Sequence, residues 1–298
     1  MTKKNNAAVV IGGVNMDIWG RPAIKLVLHD SAPGFVSMTP GGVGRNIAHN
    51  PCLLGLKVGL VAALGDDANG ATLKARCEEL GMDMSLAPVI KGSSSSTYLY
   101  ITDETGDMAL AINEMDICNE ISPKYLASIL PELEKFGAIV LDANLSEEAI
   151  AFICENTTLP IYADPVSTVK GSKFLPHLKR LRCFKPNLLE ARSLTGEEDA
   201  ELAAKKLIEM GVERVFLSMG SKGMIAASKD ECLHLPVIPT DIVNANGAGD
   251  SAMAAIIWAD MQGYSLYDTA RAAGLAGSLT CQSELSNSPE LGKLKDLM

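Results

Sequence analysis

The sequence predicts an α/β fold with a mainly parallel central sheet, helices on both faces of that sheet and a small β lid. Short apolar segments alternate with helical patterns almost throughout the 298 residues. Each apolar segment ends in a polar or turn-forming residue, as buried parallel strands do. Two stretches break this alternation and have no helical period, which indicates a separate small sheet.

The strands and helices of the main sheet follow one another in the order that βα units require. The predicted strands cover residues 7–11, 58–63, 139–142, 161–164, 183–185 and 215–218. The predicted helices cover residues 44–54, 71–80, 123–135, 147–155, 188–194 and 200–210. Pro51 predicts a kink or an early stop in the first helix, and Gly81 is placed to close the second.

The lid is predicted from the two stretches that interrupt the alternation. Residues 93–113 have the pattern of a strand, a turn and a second strand, whereas residues 18–38 mix polar, apolar and turn-forming side chains. We expect both to pair into one sheet within a single domain of residues 1–298, with lid segments at approximately 14–40 and 92–113. Such a flap can close over a substrate and exclude water.

Composition excludes several classes of protein. The formal net charge of −10 argues against a nucleic acid polymer as partner, because phosphate backbones require clustered Lys and Arg. We find no leader pattern and no apolar run long enough for a membrane span, so we expect a cytoplasmic protein with no membrane partner. The seven cysteines have no CxxC or zinc-site spacing, which predicts free and mostly buried thiols.

Residues 247–250 are the most informative segment, because they open a strongly apolar helix. Gly247, Ala248 and Gly249 let the backbone approach a ligand, and the first amides of a helix together with its dipole attract an anion such as a phosphate. Asp250 lies in the first turn, where the dipole favours an ionised carboxylate that can accept a proton from a hydroxyl. The residues alone are equally compatible with a tight turn followed by an ordinary first-turn aspartate.

Other polar residues are candidates for a site, and each has a structural alternative. Asp17 and Asn46 could clamp a vicinal diol, or could serve as a turn cap and a helix N-cap. Asn187 and Glu190 would share one helix face near a hydrated magnesium ion, or could form a cap and a solvated face. Arg45 could neutralise a substrate or pack by its stem.

Six motifs, in order along the chain, resemble those of the ribokinase-like carbohydrate kinases, also called the PfkB family. They are Gly12-Gly-Val-Asn-Met-Asp17, Gly41-Gly-x-x-x-Asn46, Gly65-Asp-Asp-x-x-Gly70, Asn187-x-x-Glu190, Ser218-x-Gly-x-x-Gly223 and Asn244-x-x-Gly-Ala-Gly-Asp250. The resemblance implies a three-layer sandwich and ATP-dependent phosphorylation of a sugar or nucleoside hydroxyl.

The resemblance also implies a role for each matched residue. The catalytic residues would be Asp250 as base with Gly247, Ala248 and Gly249. The substrate-binding residues would be Asn15, Asp17, Gly41, Gly42 and Asn46. The nucleotide-binding residues would be Asn187, Glu190, Ser218, Gly220 and Gly223. Glu190 would hold Mg²⁺ through water, and pairing of lids implies a homodimer.

Finer matches are closest to the branch of the family that phosphorylates the 5′-hydroxyl of pseudouridine. They lie at residues 12–18, 39–46, 142–146 and 164–170. The alternatives are a kinase for ribose, adenosine, inosine or a keto-deoxy sugar acid, and a catalytically silent sugar-binding regulator. The sequence departs from many members at Asn244, where they have an acidic residue, and this puts a monovalent-cation site in doubt.

Two other nucleotide-binding modes are excluded by missing motifs. The dinucleotide fingerprint Gly-x-Gly-x-x-Gly fails because Ile47 stands where its third glycine belongs, and no Gly-x4-Gly-Lys-Ser/Thr loop is present. ATP phosphates would therefore rest on the amides that follow Gly247. The alternating Tyr98 and Tyr100 are expected to pack one face of the lid, and the resemblance favours their lining a nucleobase pocket.

Overall fold

The computed structural model describes residues 6–27 and 29–298. The strands are β1 (Ala7–Ile11), β2 (Asn15–Pro22), β3 (Gly34–Gly41), β4 (Lys57–Val61), β5 (Leu64–Gly65), β6 (Met82–Asp83), β7 (Val89–Ile90), β8 (Thr97–Thr102), β9 (Met108–Glu114), β10 (Ala138–Asp142), β11 (Ile161–Asp164), β12 (Leu181–Phe184), β13 (Arg214–Ser218), β14 (Met224–Ser228) and β15 (Cys232–Leu235). The helices are α1 (Val43–Leu53), α2 (Ala68–Glu79), α3 (Pro123–Leu133), α4 (Glu147–Asn156), α5 (Leu188–Thr195), α6 (Ala200–Glu209), α7 (Ala248–Met261), α8 (Leu266–Cys281) and α9 (Leu294–Leu297).

The central sheet confirms the predicted α/β class. Its nine strands are ordered β15-β14-β13-β12-β11-β10-β1-β4-β6, and all neighbours from β13 to β6 run parallel. The hairpin of β14 and β15 adds two antiparallel strands at one edge. That hairpin was not among the predicted strands.

Alternate residues of the buried strands point into two separate cores, which makes the fold a three-layer sandwich. In β1, Val10 packs into a core with residues of α1, α2, α7 and α8. Val9 and Ile11 point the other way, into a core with residues of α3, α4 and α6. Strands buried on both faces are therefore apolar throughout, as the sequence indicated.

The small sheet confirms that the two irregular segments pair with each other. Its order is β3-β2-β8-β9, with β2 antiparallel to β3 and parallel to β8. At its base, Asp67 accepts hydrogen bonds from the Gly70 amide at the start of α2 and from the Ser95 amide and hydroxyl just before β8. The Gly-Asp-Asp motif thus ties the small sheet to the main body.

The described parts of the chain confirm the expected free thiols. All seven cysteines are unbridged, and four of them are buried. None of the helices in residues 6–27 and 29–298 combines the length and the apolar character that crossing a bilayer requires.

The carboxyl ends of the parallel strands meet at one edge of the sheet, where open α/β folds place their ligand sites. Asp142 ends β10, Asp164 ends β11, Lys185 follows β12 and Ser218 ends β13. The glycine pair after β1 lies at the same edge. The sheet therefore gathers two carboxylates and an ammonium group that are far apart in the sequence.

A buried ion cluster fixes the C-terminal end of α7 to the opposite edge of the sheet. The Asp260 carboxylate accepts two hydrogen bonds from Arg182, one from Arg214 and one from the Tyr162 hydroxyl. Burial alone would raise the pKa of Asp260, but the bonds from Arg182 and Tyr162 outweigh burial and lower it. This cluster holds the helix whose other end carries Asp250.

We expect Asp260→Ala to lower the free energy of unfolding by about 3–5 kcal/mol, because it leaves two guanidinium groups without their buried counter-charge. Urea unfolding measures the loss. Glu213→Ala is the matched control: it removes the exposed second partner of Arg182 and should cost less than about 1 kcal/mol. Equal losses in the two variants would show that the buried cluster contributes no more than a surface pair.

Candidate active site

The first turn of α7 is open to a ligand because of the residue that precedes it. Gly247 caps the helix at a φ of 78°, and a Cβ there would lie 2.0 Å from the Ser286 carbonyl oxygen, so only glycine fits. No side chain caps the helix, and among the described residues none accepts a hydrogen bond from the amides of Gly249 and Asp250. The predicted anion site therefore has free donors.

Asp250 contacts the N-terminal motif directly. The Asn46 side-chain amide donates a 3.0 Å hydrogen bond from Nδ2 to Asp250 Oδ2, across 204 positions of sequence. Asn46 is the fourth residue of α1, which begins after Gly42, so the alternative of an N-cap at Asn46 was wrong. The two most informative motifs of the sequence thus form one site.

The environment of Asp250 changes the expectation that it is fully ionised. The pKa of Asp250 is raised to about 7, chiefly by burial and further by the nearby carboxylates of Asp164 and Asp142. The Asn46 hydrogen bond and the Lys185 ammonium oppose it. The sequence showed only the helix dipole, which favours the ionised form, and not these opposing contributions. A pKa near neutrality suits a group that accepts and releases a proton.

Lys185 and Asp164 form a buried ion pair beside the first turn of α7. Their Nζ and Oδ2 atoms are 3.0 Å apart, and a Cβ on Gly249 would lie 3.5 Å from Nζ. Burial by itself lowers the pKa of Lys185, but Asp164 outweighs it and the pKa is raised. Val166, at an unfavourable φ of 62°, donates its amide to Asp164 Oδ1 and holds that carboxylate in place.

The substrate-side residues named by the sequence surround Asp17. Buried Asn15 donates to Asp17 Oδ1, and a Cβ on Gly41 would lie 2.1 Å from Asp17 Oδ2. Gly42 has a φ of 101° and turns the chain into α1. Asp17 lies within β2 rather than at a turn, so the turn-cap alternative was wrong. Burial raises its pKa, partly offset by Asn15 and Arg45.

Asn187 and Glu190 form a reciprocal capping box at the start of α5. Asn187 Oδ1 accepts from the Glu190 amide, and Glu190 Oε2 accepts from the Asn187 amide. The capping alternative for Asn187 is therefore confirmed. The idea of a solvated face was wrong, since Glu190 is buried and burial raises its pKa.

The glycine loop after β13 lies next to that box. Ser218 and Asn187 form a parallel bridge, so the two nucleotide-side motifs are neighbours at the strand ends. Gly220 and Gly223 both have positive φ, and a Cβ on Gly223 would lie 2.1 Å from the Leu235 carbonyl oxygen. The loop depends on the β14–β15 hairpin that the sequence analysis missed.

Several residues of the site were given no role from the sequence. Asp164 and Asp142 ended predicted strands and began two of the finer matches, but neither was assigned to the site, although strand-end carboxylates at one sheet edge could have been grouped. Asn287 had no motif at all. It is buried in the segment after α8, accepts from Arg45 and donates to the Asn46 carbonyl oxygen.

The carboxylates at the strand ends are too few to coordinate a magnesium ion fully, but they fit an ion that keeps most of its water ligands. Among the described residues, no three His, Cys, Asp or Glu side chains are grouped as metal ligands. The Asp164 carboxylate is close enough to Glu190 to contribute to the raised pKa of Glu190. Magnesium usually keeps several waters and binds one or two carboxylates, so this sparse set is compatible with it.

A comparison with protein families shows which family has a site of this kind. The model of the pfkB family carbohydrate kinases matches residues 5–291. The chain belongs to this family. Membership makes it an ATP-dependent sugar or nucleoside kinase, and it confirms the resemblance drawn from the six motifs.

Individual pfkB relatives agree with the family match. The chain is 36% identical to the pseudouridine kinase of Escherichia coli (strain K12) over 296 residues, which are 97% of this chain and 95% of that protein. Ribokinase from Thermotoga maritima superposes with a TM-score of 0.86 at 21% identity, covering 96% and 98% of the two chains. Arabidopsis thaliana ribokinase complexed with ribose and ATP has a TM-score of 0.82 at 22% identity, covering 96% and 97%. The two ribokinases show the shared fold.

We expect Asp250→Asn to stabilise the protein more at pH 8 than at pH 5. The folded-state pKa of Asp250 is about 7, above an unfolded value of about 4, so its ionisation costs stability as the pH rises between them. An uncharged amide removes that cost. Thermal unfolding of both proteins at the two pH values measures the difference. Asp230→Asn, at an exposed position, should show no such growth, and a similar growth there would refute the assignment to Asp250.

Proposed function

We propose that this kinase transfers the γ-phosphoryl group of ATP to the 5′-hydroxyl of pseudouridine, with Asp250 as the base. The observation that carries the proposal is the hydrogen bond from Asn46 to Asp250. It joins the substrate-side motif to the carboxylate at the phosphate-binding helix, so that one alcohol can meet both. The identity to the Escherichia coli pseudouridine kinase supports the choice of substrate.

In the proposed reaction, Asp17 and Asn15 hold the ribose hydroxyls and aim the 5′-oxygen at Asp250. Asp250 accepts the hydroxyl proton while that oxygen bonds to the γ-phosphorus. The bond from the γ-phosphorus to its bridging oxygen breaks, and ADP leaves with the electron pair. The amides of Gly249 and Asp250, which have no acceptor among the described residues, and the nearby Lys185 ammonium would stabilise the charge that develops on the phosphoryl oxygens.

The nucleotide side of the proposal uses the residues at the ends of β12 and β13. Asn187, Ser218, Gly220 and Gly223 would line the ATP-binding groove, and Glu190 would hold Mg²⁺ through water. Bound magnesium would neutralise phosphate charge. The proposal includes no monovalent cation, because the neutral Asn244 amide is already engaged with the Glu284 carbonyl and the Asn246 amide.

An aromatic face beside Asp17 supports a nucleoside rather than a bare sugar. The strand register places Asp17 opposite Tyr98 and Trp19 opposite Tyr100, all on one face of the small sheet. The Trp19 and Tyr100 rings stack 6.4 Å apart, and the Tyr98 and Tyr100 rings are 5.5 Å apart. A base attached to a ribose held by Asp17 would lie against these rings.

A substrate panel read out by ADP release tests the proposal. We expect pseudouridine to exceed uridine, ribose, adenosine and inosine in kcat/KM by at least about tenfold. Tyr100→Ala should raise KM for the nucleoside about tenfold and leave ribose kinetics unchanged, because base stacking is lost. Equal rates for pseudouridine and ribose would refute base recognition.

The same panel tests the base itself. Asp250→Asn should lower kcat by about 10²-fold to 10⁴-fold, because the hydroxyl proton loses its acceptor. ATP binding, measured by calorimetry, should persist. A variant with near-normal turnover would refute the role of Asp250, and absence of ADP with every substrate would favour the silent regulator.

We further propose that two copies pair through the outer face of the small sheet. The register aligns Met38, Ile18, Leu99 and Ile112 across all four strands, on the face opposite Asp17. Met38 and Ile112 are 54% and 60% exposed, which is unusual for a row of large apolar residues. A second copy would bury this row and hold the lid segments together.

Sedimentation tests the pairing. We expect a dimer for the unaltered chain and a monomer for Met38→Lys, because a charge in the centre of an apolar contact is costly to bury. Leu202→Lys is the matched control, since Leu202 on α6 has the same 54% exposure but lies far from the small sheet in the fold. A Met38→Lys protein that remains dimeric would rule out this face.

A further inference from the structure

Arg45, on α1, donates hydrogen bonds to two side chains of the candidate site. Its Nη1 atom donates to Asn46 Oδ1 at 2.9 Å and to Asn287 Oδ1 at 2.8 Å. Its Nε atom is buried and has no hydrogen-bond partner within the described part of the chain. A guanidinium group in this position is costly to desolvate, which argues for a purpose beyond packing by its stem.

The guanidinium dictates which way the Asn46 amide points. Arginine can only donate hydrogen bonds, so the atom of Asn46 that faces it must be the carbonyl oxygen. The NH₂ group of Asn46 is then left facing Asp250 Oδ2. We propose that Arg45 is a positioning residue that holds the Asn46 side chain in the one orientation that donates to Asp250.

A second chain of hydrogen bonds runs from Arg45 to the same turn of α7. Asn287 accepts from Arg45 and donates to Asn50 Oδ1, and Asn50 donates to the Ser251 hydroxyl. Ser251 follows Asp250 on α7, so the polar contacts of Arg45 reach this turn both through Asn46 and through Asn287. Each amide along the two routes has its oxygen towards a donor and its nitrogen towards an acceptor, which agrees with the orientation of Asn46.

A reversed amide would oppose the negative charge of Asp250. It would place Asn46 Oδ1 against the Asp250 carboxylate, so a stabilising donor would become a repelling acceptor. The charged groups that act on Asp250 are the carboxylates of Asp164 and Asp142 and the cations of Lys185 and Arg45. The two carboxylates raise the pKa of Asp250, and the hydrogen bond from the neutral Asn46 amide lowers it. The orientation of that amide therefore affects whether Asp250 is ionised.

A double-mutant cycle separates orientation from simple charge. The carboxyl carbon of Asp250 is followed by NMR in ¹³C-aspartate-labelled protein, and its signal is identified by its loss in Asp250→Asn. We expect Arg45→Met to raise the pKa of Asp250 by about one unit. In an Asn46→Ala background the same change should raise it much less, because the amide through which Arg45 acts is absent.

Two outcomes would overturn the proposal. An equal rise of the Asp250 pKa in both backgrounds would mean that Arg45 acts through its charge alone, and no rise would mean that it only packs. Arg45→Lys keeps the charge but replaces the planar guanidinium by a single ammonium group, so we expect an intermediate shift of the Asp250 pKa. If Arg45→Met does not fold, Arg45→Lys supplies the same comparison between the two backgrounds. Arg76→Met, at an exposed site on α2, should leave the Asp250 pKa unchanged.

Kinetics test whether Arg45 matters for turnover, and this part of the inference rests on the proposed function. Arg45→Met should lower kcat about tenfold near pH 6.5, a loss that shrinks as the pH rises and Asp250 ionises, with KM for ATP unchanged. A loss that is equal at every pH would indicate a structural defect and overturn the proposal. The NMR cycle needs no turnover, so it tests Arg45 even if pseudouridine is not the substrate.

Discussion

The hydrogen bond between Asn46 and Asp250 is the contact on which the site depends. It joins the first turns of α1 and α7, two helices that each begin after a glycine with positive φ and without a side-chain cap. Because both helix starts lie at the carboxyl edge of the sheet, the bond brings the motif that follows Asp17 and the uncapped first turn of α7 to one place. Everything proposed about the reaction requires this convergence.

Ionised Asp250 lowers the stability of the fold. Asp250 is close to Asp164 and Asp142, and burial together with these carboxylates brings its pKa to about 7, whereas Lys185 and Asn46 stabilise the ionised form only in part. A fold selected for stability alone would not group these charges. The Asp260 cluster at the far end of α7 and the chain of hydrogen bonds from Arg45 through Asn287 to Ser251 hold that helix at both ends.

The sequence predicted the regular elements well and the polar connections poorly. Strands β1 and β11 were predicted to the residue, because buried parallel strands are short apolar runs with clear ends. The hairpin of β14 and β15 was missed, although a glycine, an apolar run and a polar turn at residues 223–231 would have indicated it. Asn187 and Glu190 satisfy each other, and the ionisation of Asp250 depends on side chains from other strands, so neither could be read from local spacing.

The most direct test of the account is a crystal structure of the chain with a nucleoside that it phosphorylates and a non-hydrolysable ATP analogue. We expect the 5′-oxygen within about 2.6–3.2 Å of an Asp250 carboxylate oxygen, the γ-phosphate on the amides of Gly249 and Asp250, and the ribose hydroxyls on Asp17. A nucleoside bound with its 5′-oxygen away from Asp250, or phosphates bound away from the start of α7, would contradict it.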